Sequence, residues 1–368
     1  MTEDEILAAL RLQAVPNIGD VTAKKLIAHC GSPTAVFKDK IQQLLKIEGI
    51  GRMTLKELYH PSYADDAEQE YDFIRKNNLG VSYFMEQDYP ELLKHCVDGP
   101  VLLFHNGNID LKNKHIISVV GTRNITSYGT AFCETFIEDI APLDPIIVSG
   151  FAYGVDITIQ KMAMEHGLQT ISCLAHGLNQ IYPKVHKKYV ARIEKHGGFL
   201  TEFWSTSNPD RENFLKRNRI IAGMSEATVV IESAEKGGSL VTADLANGYH
   251  RDVFAVPGRT SDKFSKGCND LIKKQQAQML TSAAELVYLL DWELEQKKPK
   301  SPLQKQLFVA LDETEKSIHS YLQQHGKQLL DTIALECKLP VFQASSILLT
   351  MEMKGVVRPW PGKLFEAI

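Results

Sequence analysis

Four glycine-bearing segments, each following an apolar β-rich run, carry the residues of this sequence that could bind an anion. They occupy residues 121–123, 149–156, 236–243 and 257–259. Glycine lets a backbone approach a ligand closely, and a helix that follows points its free N–H groups at the same spot. A single loop of this kind often serves packing alone, but four along one rim predict an anion-binding crevice.

A basic segment supplies the positive charge that such a crevice needs. Residues 183–219 hold nine Lys and Arg against four Asp and Glu, a local charge of +5 in a chain of formal net charge −4. Aromatic residues are interleaved, which suits single-stranded nucleic acid, whose phosphates follow a basic groove while its bases stack on rings. The tetrapeptide Lys-Arg-Asn-Arg at residues 216–219 directly precedes an apolar run, so part of it must face inward, and a phosphate is the simplest partner. A solvated helix face is the favoured interpretation for four other cations, Lys187, Lys188, Arg192 and Lys195.

Standard catalytic and cofactor motifs do not occur in the sequence. GxGxxG after the first predicted strand, GxxxxGK[ST] and GxSxG are all missing, so a dinucleotide site, a P-loop and a serine-hydrolase elbow are unsupported. The six cysteines form no CxxC pair and the twelve histidines no HExxH, so neither a zinc site nor a disulfide framework is indicated. We therefore expect no cofactor, no metal and no catalytic residue.

Composition and the first residues bear on the class of protein and its location. The mild negative charge excludes a histone-like basic coat, and 44% apolar with 23% charged residues exclude a disordered chain. The N-terminus lacks the basic region of a signal peptide, and no apolar run approaches the ~18 residues of a transmembrane helix. We expect a cytoplasmic protein with no membrane partner.

Six apolar β-rich runs must position the glycine segments. The predicted strands cover residues 116–120, 146–149, 169–174, 199–203, 228–232 and 253–256. Helix-length amphipathic stretches lie between most of them, the βαβ pattern of an α/β fold with a doubly wound parallel sheet. Ligands of such sheets bind beyond the carboxyl ends of the strands, which is where the glycine segments fall.

A helical region precedes the predicted sheet. Within residues 1–65, glycine turns at residues 15–19 and 47–51 resemble the helix-hairpin-helix motif of DNA-binding proteins. A module that packs or binds protein is the slightly favoured alternative, because Asp20 and Glu48 beside the turns would repel phosphate.

A basic, proline-bearing linker is predicted after the sheet, at residues 297–302. Beyond it, residues 303–368 predict three helices and a hairpin, in the order of a winged helix. Residues 340–353 form the predicted DNA-reading helix but contain no Lys or Arg, whereas a helix that reads a DNA groove normally needs them. Packing or protein contact is therefore the favoured role of this tail, with DNA reading as the alternative.

A series of short motifs runs in a consistent order through the predicted sheet. They include Tyr89-Pro90, Val120-Gly121-Thr122-Arg123, residues 147–156, Tyr182-Pro183, Arg217-Asn218-Arg219-Ile220-Ile221-Ala222-Gly223, Gly237-Gly238-Ser239-Leu240 and Ala255-Val256-Pro257-Gly258. Together they cover roughly residues 89–280 and resemble the DNA-processing protein A (DprA/Smf) family. The resemblance implies a helix-hairpin-helix or SAM-like domain at 1–65, an extended Rossmann-like domain at 71–292 and a winged helix at 303–368.

The same resemblance implies a protein that binds single-stranded DNA without chemistry. It also implies a homodimer that hands incoming DNA to the RecA recombinase during natural transformation. The implied DNA-binding residues, including the glycine loops, are Gly121, Thr122, Arg123, Ser149, Gly150, Phe151, Ala152, Gly154, Lys184, Lys216, Arg217, Asn218, Arg219, Gly237, Gly238, Ser239 and Thr242. The dimer and RecA-facing surface is expected near Asn269, Ile272 and Met279. Gln160 stands where the family usually has a His.

Two other functions stay open on the residues alone. The Lys236-Gly237-Gly238-Ser239 loop and the sheet also resemble the nucleotide phosphoribohydrolases of the lysine-decarboxylase-like group. Their PGGxGTxxE signature ends in a Glu that acts on the glycosidic bond, and here only Asp244 is a loose substitute. The remaining alternative is a regulatory sensor that binds a mononucleotide in the same crevice.

Overall fold

The computed structural model describes residues 1–292, 311–360 and 363–367. The chain folds as two compact units, Met1–Leu294 and Glu295–Ile368. The predicted linker at residues 297–302 lies outside the described residues.

A nine-stranded sheet forms the centre of the first unit. Its strands are β1 (Gly80–Tyr83), β2 (Leu102–Gly107), β3 (Ile116–Gly121), β4 (Ile146–Ser149), β5 (Thr170–Cys173), β6 (Gly197–Thr201), β7 (Ala227–Glu232), β8 (Asp252–Ala255) and β9 (Gln278–Met279). They lie in the order β1-β2-β6-β5-β4-β3-β7-β8-β9. The pairs from β6 to β9 are parallel, and β1 and β2 add an antiparallel edge. The doubly wound parallel sheet and its six predicted strands are confirmed, with ends shifted by one or two residues.

Helices cover both faces of the sheet. Those that follow β1 are α7 (Glu91–Lys94), α8 (Ser127–Ile140), α9 (Val155–Glu165), α10 (Val190–His196), α11 (Arg211–Gly223), α12 (Gly238–Gly248), α13 (Lys266–Lys273) and α14 (Ala283–Leu289). Alternate residues of β3 enter opposite cores, since Ile117 packs with α8 and α9 while Ile116 packs with α11 and α12. This two-sided burial explains why the predicted strands are apolar at nearly every position.

Six helices precede the sheet and pack on its antiparallel edge. They are α1 (Glu3–Ala14), α2 (Asp20–Cys30), α3 (Pro33–Lys38), α4 (Ile41–Leu44), α5 (Arg52–Leu55) and α6 (Ser62–Lys76). Their core, including Leu10 and Leu26, continues into Leu102 and Phe104 of β2. Helix α6 runs through residues 65–71, where the boundary between a first and a second domain is predicted. That boundary stays a prediction, since the helices and the sheet share one compact unit.

The second unit has the arrangement of a winged helix. It contains α15 (Glu313–His325), β10 (Gln328–Leu329), α16 (Leu330–Glu336), α17 (Val341–Met353), β11 (Val357–Trp360) and β12 (Leu364–Ala367). The strands form an antiparallel sheet in the order β10-β12-β11. An apolar core joins the three helices, with Ile318, Ile333 and Leu348 fully buried.

No single helix in the described ranges is long and apolar enough to cross a membrane. Helices α16 and α17 together reach the required length and composition, but a bend of 107° separates them.

Candidate nucleic-acid interface

A cleft of about 600 Å³ lies beyond the carboxyl ends of β3 and β7. The chain leaves β3 in one direction through β4, β5 and β6, and later returns to the other side of β3 as β7. This reversal of strand order is where α/β sheets usually bind ligands, because the loops on its two sides diverge. The loops after β3, β4 and β7 line the cleft, and the N-terminal half of α11 closes it.

Ten of the predicted DNA-binding residues line this cleft. They are Gly121, Thr122, Arg123, Ala152, Arg217, Asn218, Gly237, Gly238, Ser239 and Thr242. They come from four separate stretches of sequence, and the sheet brings them together.

The N-terminus of α12 opens into the cleft without a side-chain cap. Gly237 is the N-cap residue, and it has no side chain that could accept a hydrogen bond from the first N–H groups of the helix. Ser239 is buried and its hydroxyl donates to Ser233 Oγ at 2.9 Å. A Cβ on Gly238 would meet no atom within 4 Å, so this first residue of α12 faces open space. Uncapped N–H groups at a helix start favour an anion.

Arg217 is the buried cation of the cleft, with 4% of its surface exposed. Its Nη1 donates to the carbonyls of Gly150 at 2.7 Å and Cys173 at 2.5 Å, and its Nε donates to Asn218 Oδ1 at 3.2 Å. Burial lowers the pKa of Arg217, and the charge of Asp156 opposes that effect. The Nη2 group makes no hydrogen bond within the described residues, so it is available to a ligand.

Asp156 is the acid whose charge acts most strongly on Arg217. It is the second residue of α9 and accepts the backbone N–H groups of Gly150 at 3.2 Å and Ala152 at 3.3 Å. Burial raises the pKa of Asp156, while Arg217 and these N–H groups lower it. Its carboxylate therefore organises the loop after β4 around the Arg217 guanidinium.

A phenyl ring between two guanidinium groups lies at the mouth of the cleft. Phe214 is half-buried, with Arg123 Cζ at 5.3 Å and Arg217 Cζ at 5.6 Å from its ring centroid. Tyr182 packs on the same ring with a centroid distance of 5.9 Å. The sequence placed Phe214 among the interleaved aromatics but not in the site. Its spacing of three residues from Arg217 on one helix was the signal that could have found it.

The glycines of the β3 and β4 loops serve close packing of the backbone. A Cβ on Gly121 would lie 2.5 Å from Val155 Cγ2, and one on Gly154 would lie 2.1 Å from the Thr122 carbonyl. Gly154 also has a φ of +75°, which side chains disfavour. A Cβ on Gly150 would lie 2.3 Å from Arg217 Nη1. These glycines therefore shape the cleft by letting its loops and Arg217 pack together.

Several predicted site residues lie outside the cleft lining. Ser149 and Phe151 are fully buried, and the Ser149 hydroxyl donates to the Val119 carbonyl at 2.6 Å. Lys184 and Lys216 are exposed and do not line the cleft. Gln160, at the family's usual His position, is buried under the sheet and donates to Ser172 Oγ at 2.8 Å.

Arg219 faces away from the cleft, toward the N-terminal helices. It pairs with Asp20 of α2 at 3.0 Å and with Glu202, and it donates to the Asp98 carbonyl. Residues two apart on a helix point about 200° apart, so Arg217 and Arg219 cannot face the same ligand. Arg219 instead joins α2, the loop before β2 and the end of β6.

The predicted dimer surface lies at the β9 edge of the sheet. Met279 in β9 is 55% exposed, while Ile272 and Asn269 are half-buried on α13. Asn269 Nδ2 donates to the Gly258 carbonyl at 2.9 Å, and its Oδ1 accepts the Gly258 N–H. Asn269 therefore also orders the loop after β8.

Comparison with known proteins finds DNA-processing proteins over most of the chain. The family model of DNA recombination-mediator protein A matches residues 80–291, and the model of the DprA winged helix domain matches residues 298–363. DNA processing protein DprA of Streptococcus pneumoniae is 34% identical over 223 residues, 61% of this chain and 77% of that protein. Protein Smf of Escherichia coli is 33% identical over 279 residues, 74% of each chain.

Two solved structures of such proteins share the fold. The X-ray structure of DprA from Streptococcus pneumoniae aligns with a TM-score of 0.65 at 27% identity, covering 78% of this chain and 98% of that one. A Helicobacter pylori DNA processing protein A, described for its single-stranded DNA binding mode, aligns with a TM-score of 0.52 at 28% identity. The alignment covers 58% of this chain and 95% of that one. Because the family model spans more than half of the sequence and all nine strands of the central sheet, this chain belongs to the DNA recombination-mediator protein A (DprA) family.

Proposed function

We propose that this chain binds single-stranded DNA in the cleft and delivers it to the RecA recombinase during natural transformation. The observation that carries the proposal is the meeting of three features at one strand-order reversal. These are the uncapped start of α12, the buried guanidinium of Arg217 and the Arg123–Phe214 pair. The single-stranded DNA binding described for the Helicobacter pylori relative supports it.

The chemistry of the cleft suits a single strand better than a duplex. Uncapped N–H groups and guanidinium groups bind phosphate, which both forms of DNA present. A ring such as Phe214 can stack only on a base whose face is free, as in a single strand. The cleft volume of about 600 Å³ matches a pocket for a nucleotide unit of the strand.

Binding without chemistry is the second part of the proposal. Asp244, the loose substitute for a hydrolase Glu, lies outside the cleft in a neighbouring hollow with Asn247 and Asp270. Asp156 lines the cleft, but two backbone N–H groups and the charge of Arg217 occupy it. Turnover of a nucleoside monophosphate that vanished with Asp244→Ala would overturn this part.

Delivery to RecA and homodimer formation rest on the family resemblance and on one exposed edge. Strand β9 ends the sheet, and Met279 gives it an apolar side chain open to solvent. We propose that this edge, with α13, forms the surface for a second copy or for RecA. Sedimentation of a Met279→Glu variant tests the dimer, because a buried carboxylate in the contact would shift the chain to a monomer.

The DNA-binding proposal is tested by a salt titration with single- and double-stranded oligonucleotides. Four cations line the cleft, namely Arg123, Arg211, Arg217 and Lys236. The slope of log K against log salt for single strands should therefore be no steeper than about −3, at about −0.7 per phosphate contact. Arg123→Ala should weaken single-strand binding and lower the slope by about 0.7.

Lys187→Ala is the matched control, because this exposed lysine of the basic segment lies outside the cleft. Unchanged affinity of Arg123→Ala at low salt, or an equal loss in both variants, would refute the site. Displacement of the oligonucleotide by an equimolar mononucleotide would instead favour the sensor.

A further inference from the structure

Helix α17 exposes an apolar face that the core of its own unit does not use. Ala344, Leu348 and Met351 point into the core and are fully buried. On the opposite side, Phe342 is 79% exposed, Leu349 59% and Met353 85%. At about 100° per residue, these three side chains share one face of the helix.

Two small residues lie in the middle of this face. Ser345 and Ser346 are exposed and fall between Phe342 and Leu349. The two large side chains lie about 5 Å along the axis on either side of the midpoint between the serines. The face therefore has a large side chain at equal distances on either side of the two serines. This arrangement is complementary to the same face of a second copy that runs in the opposite direction.

We propose that this face, formed by Phe342, Ser345, Ser346, Leu349 and Met353, binds the same face of a second copy. The two α17 helices cross antiparallel about a two-fold axis between Ser345 and Ser346. Phe342 of each copy then packs against Leu349 of the other, and the serines let the helices approach closely. Such a contact is isologous, with each pairing made twice.

The charges at the ends of α17 fit this arrangement. Glu352 is exposed near the C-terminal end, and Lys338 is exposed just before the N-terminal end. Antiparallel crossing brings Glu352 of one copy beside the N-terminal end and Lys338 of the other. The N-cap Pro340 leaves the first N–H groups of α17 without a side-chain partner, so a carboxylate is favoured there.

Nucleic acid is a poor occupant of the same face. Helix α17 has no Lys or Arg, and its exposed charge Glu352 would repel phosphate. One helix pair buries less than the roughly 800 Å² per partner of a stable dimer, so the association should be weak and concentration-dependent. The proposal concerns the second unit alone and does not depend on DNA binding in the cleft.

Cysteine cross-linking of the full chain tests the contact. A thiol introduced by Ser346→Cys should give a disulfide-linked dimer under mild copper-phenanthroline oxidation. Gln343→Cys is the matched control, because Gln343 is exposed on the same helix about 100° away from the face. We expect at least about fivefold more linked dimer from Ser346→Cys than from Gln343→Cys or the parent chain. Adding Phe342→Ser should remove the excess.

A charge exchange separates a second copy from any other partner. Glu352→Lys should reduce the cross-link at least about twofold, because two exposed ion pairs become repulsive. Combining it with Lys338→Glu should restore the yield, since the pairs re-form with opposite sign. No excess over the control, insensitivity to Phe342→Ser, or failure of the restoration would overturn the proposal. Protection of the introduced thiol by duplex DNA, without cross-linking, would assign the face to DNA and overturn it as well.

Discussion

Replacing Arg219 by Met should loosen the N-terminal helices from the sheet without touching the cleft. Arg219 is 9% exposed and pairs with both Asp20 and Glu202. Methionine keeps much of the volume and removes the charge. The variant therefore leaves two carboxylates in a buried site with no guanidinium, and with Lys24 of α2 and Lys216 of α11 as nearby cations.

The expected loss depends on pH, because Glu202 can take up a proton. Breaking a buried ion pair costs about 3–5 kcal/mol when the remaining charge stays buried. Burial raises the pKa of Glu202 to about 7, with Arg219 opposing that rise. A raised carboxyl pKa means that the folded state binds a proton more tightly than the unfolded state. The free energy of unfolding therefore falls as the pH rises from the ordinary pKa of a Glu carboxyl toward 7. Without Arg219 this fall continues to higher pH. We expect a loss of about 3 kcal/mol at pH 8 and about 1 kcal/mol at pH 6.

Urea unfolding at the two pH values measures this difference. The chain has three tryptophans, and a Trp360→Phe background confines the fluorescence signal to Trp204 and Trp292 of the first unit. Arg192→Met is the control, because Arg192 makes an exposed pair with Glu165 at 3.6 Å that should contribute less than about 1 kcal/mol. A loss below about 1 kcal/mol at pH 8, or an equal loss at both pH values, would refute the reasoning.

Two further predictions concern the cleft itself. Phe214→Ala should weaken oligonucleotide binding by about 1–3 kcal/mol through lost stacking, while Phe214→Tyr should retain it, as fluorescence anisotropy would show; equal weakening by both would argue against a stacking role. Gly154→Ala should lower the melting temperature strongly, because the φ of Gly154 is +75° and the new Cβ would lie 2.1 Å from a carbonyl oxygen. Gly238→Ala should leave the melting temperature nearly unchanged and weaken only phosphate binding, because a Cβ at Gly238 meets open space. Similar melting temperatures for the two glycine variants would contradict this explanation.

The parallel strands could be predicted because burial on both faces leaves a run of apolar residues, as in Ile116–Gly121. The edge strands β1 and β2 give a weaker signal. Their pairing joins residues about twenty positions apart with no hairpin turn, and the second half of β2 is half-exposed at His105 and Asn106 and exposed at Gly107. Strand β9 has only two residues, and its pairing with β8 makes it a strand. Tertiary contacts decide such elements, and local pattern does not show them.

The structure brings the predicted glycine loops together at one cleft, but it separates the cations that the sequence places together on one helix. Arg217, Asn218 and Arg219 read as one phosphate-binding cluster in the sequence. Once residues 211–223 form a helix, each residue turns by about 100°, so Arg217 enters the cleft and Arg219 leaves it. The same periodicity brings Phe214 back to the face of Arg217. Placement of the helix against the sheet decides which of these faces lines the cleft, and the sequence carries no direct mark of it.

The charge of the cleft does not come from the basic segment as a whole. Of the nine cations between residues 183 and 219, only Arg211 and Arg217 line the cleft, and Arg219 is paired with Asp20 and Glu202. Arg123 and Lys236 join them from loops more than a hundred residues apart along the chain. The strand order therefore gathers at one reversal point the cations that we propose bind phosphate. Outside residues 183–219 the chain carries a net negative charge, and we expect that charge to limit indiscriminate adhesion to DNA.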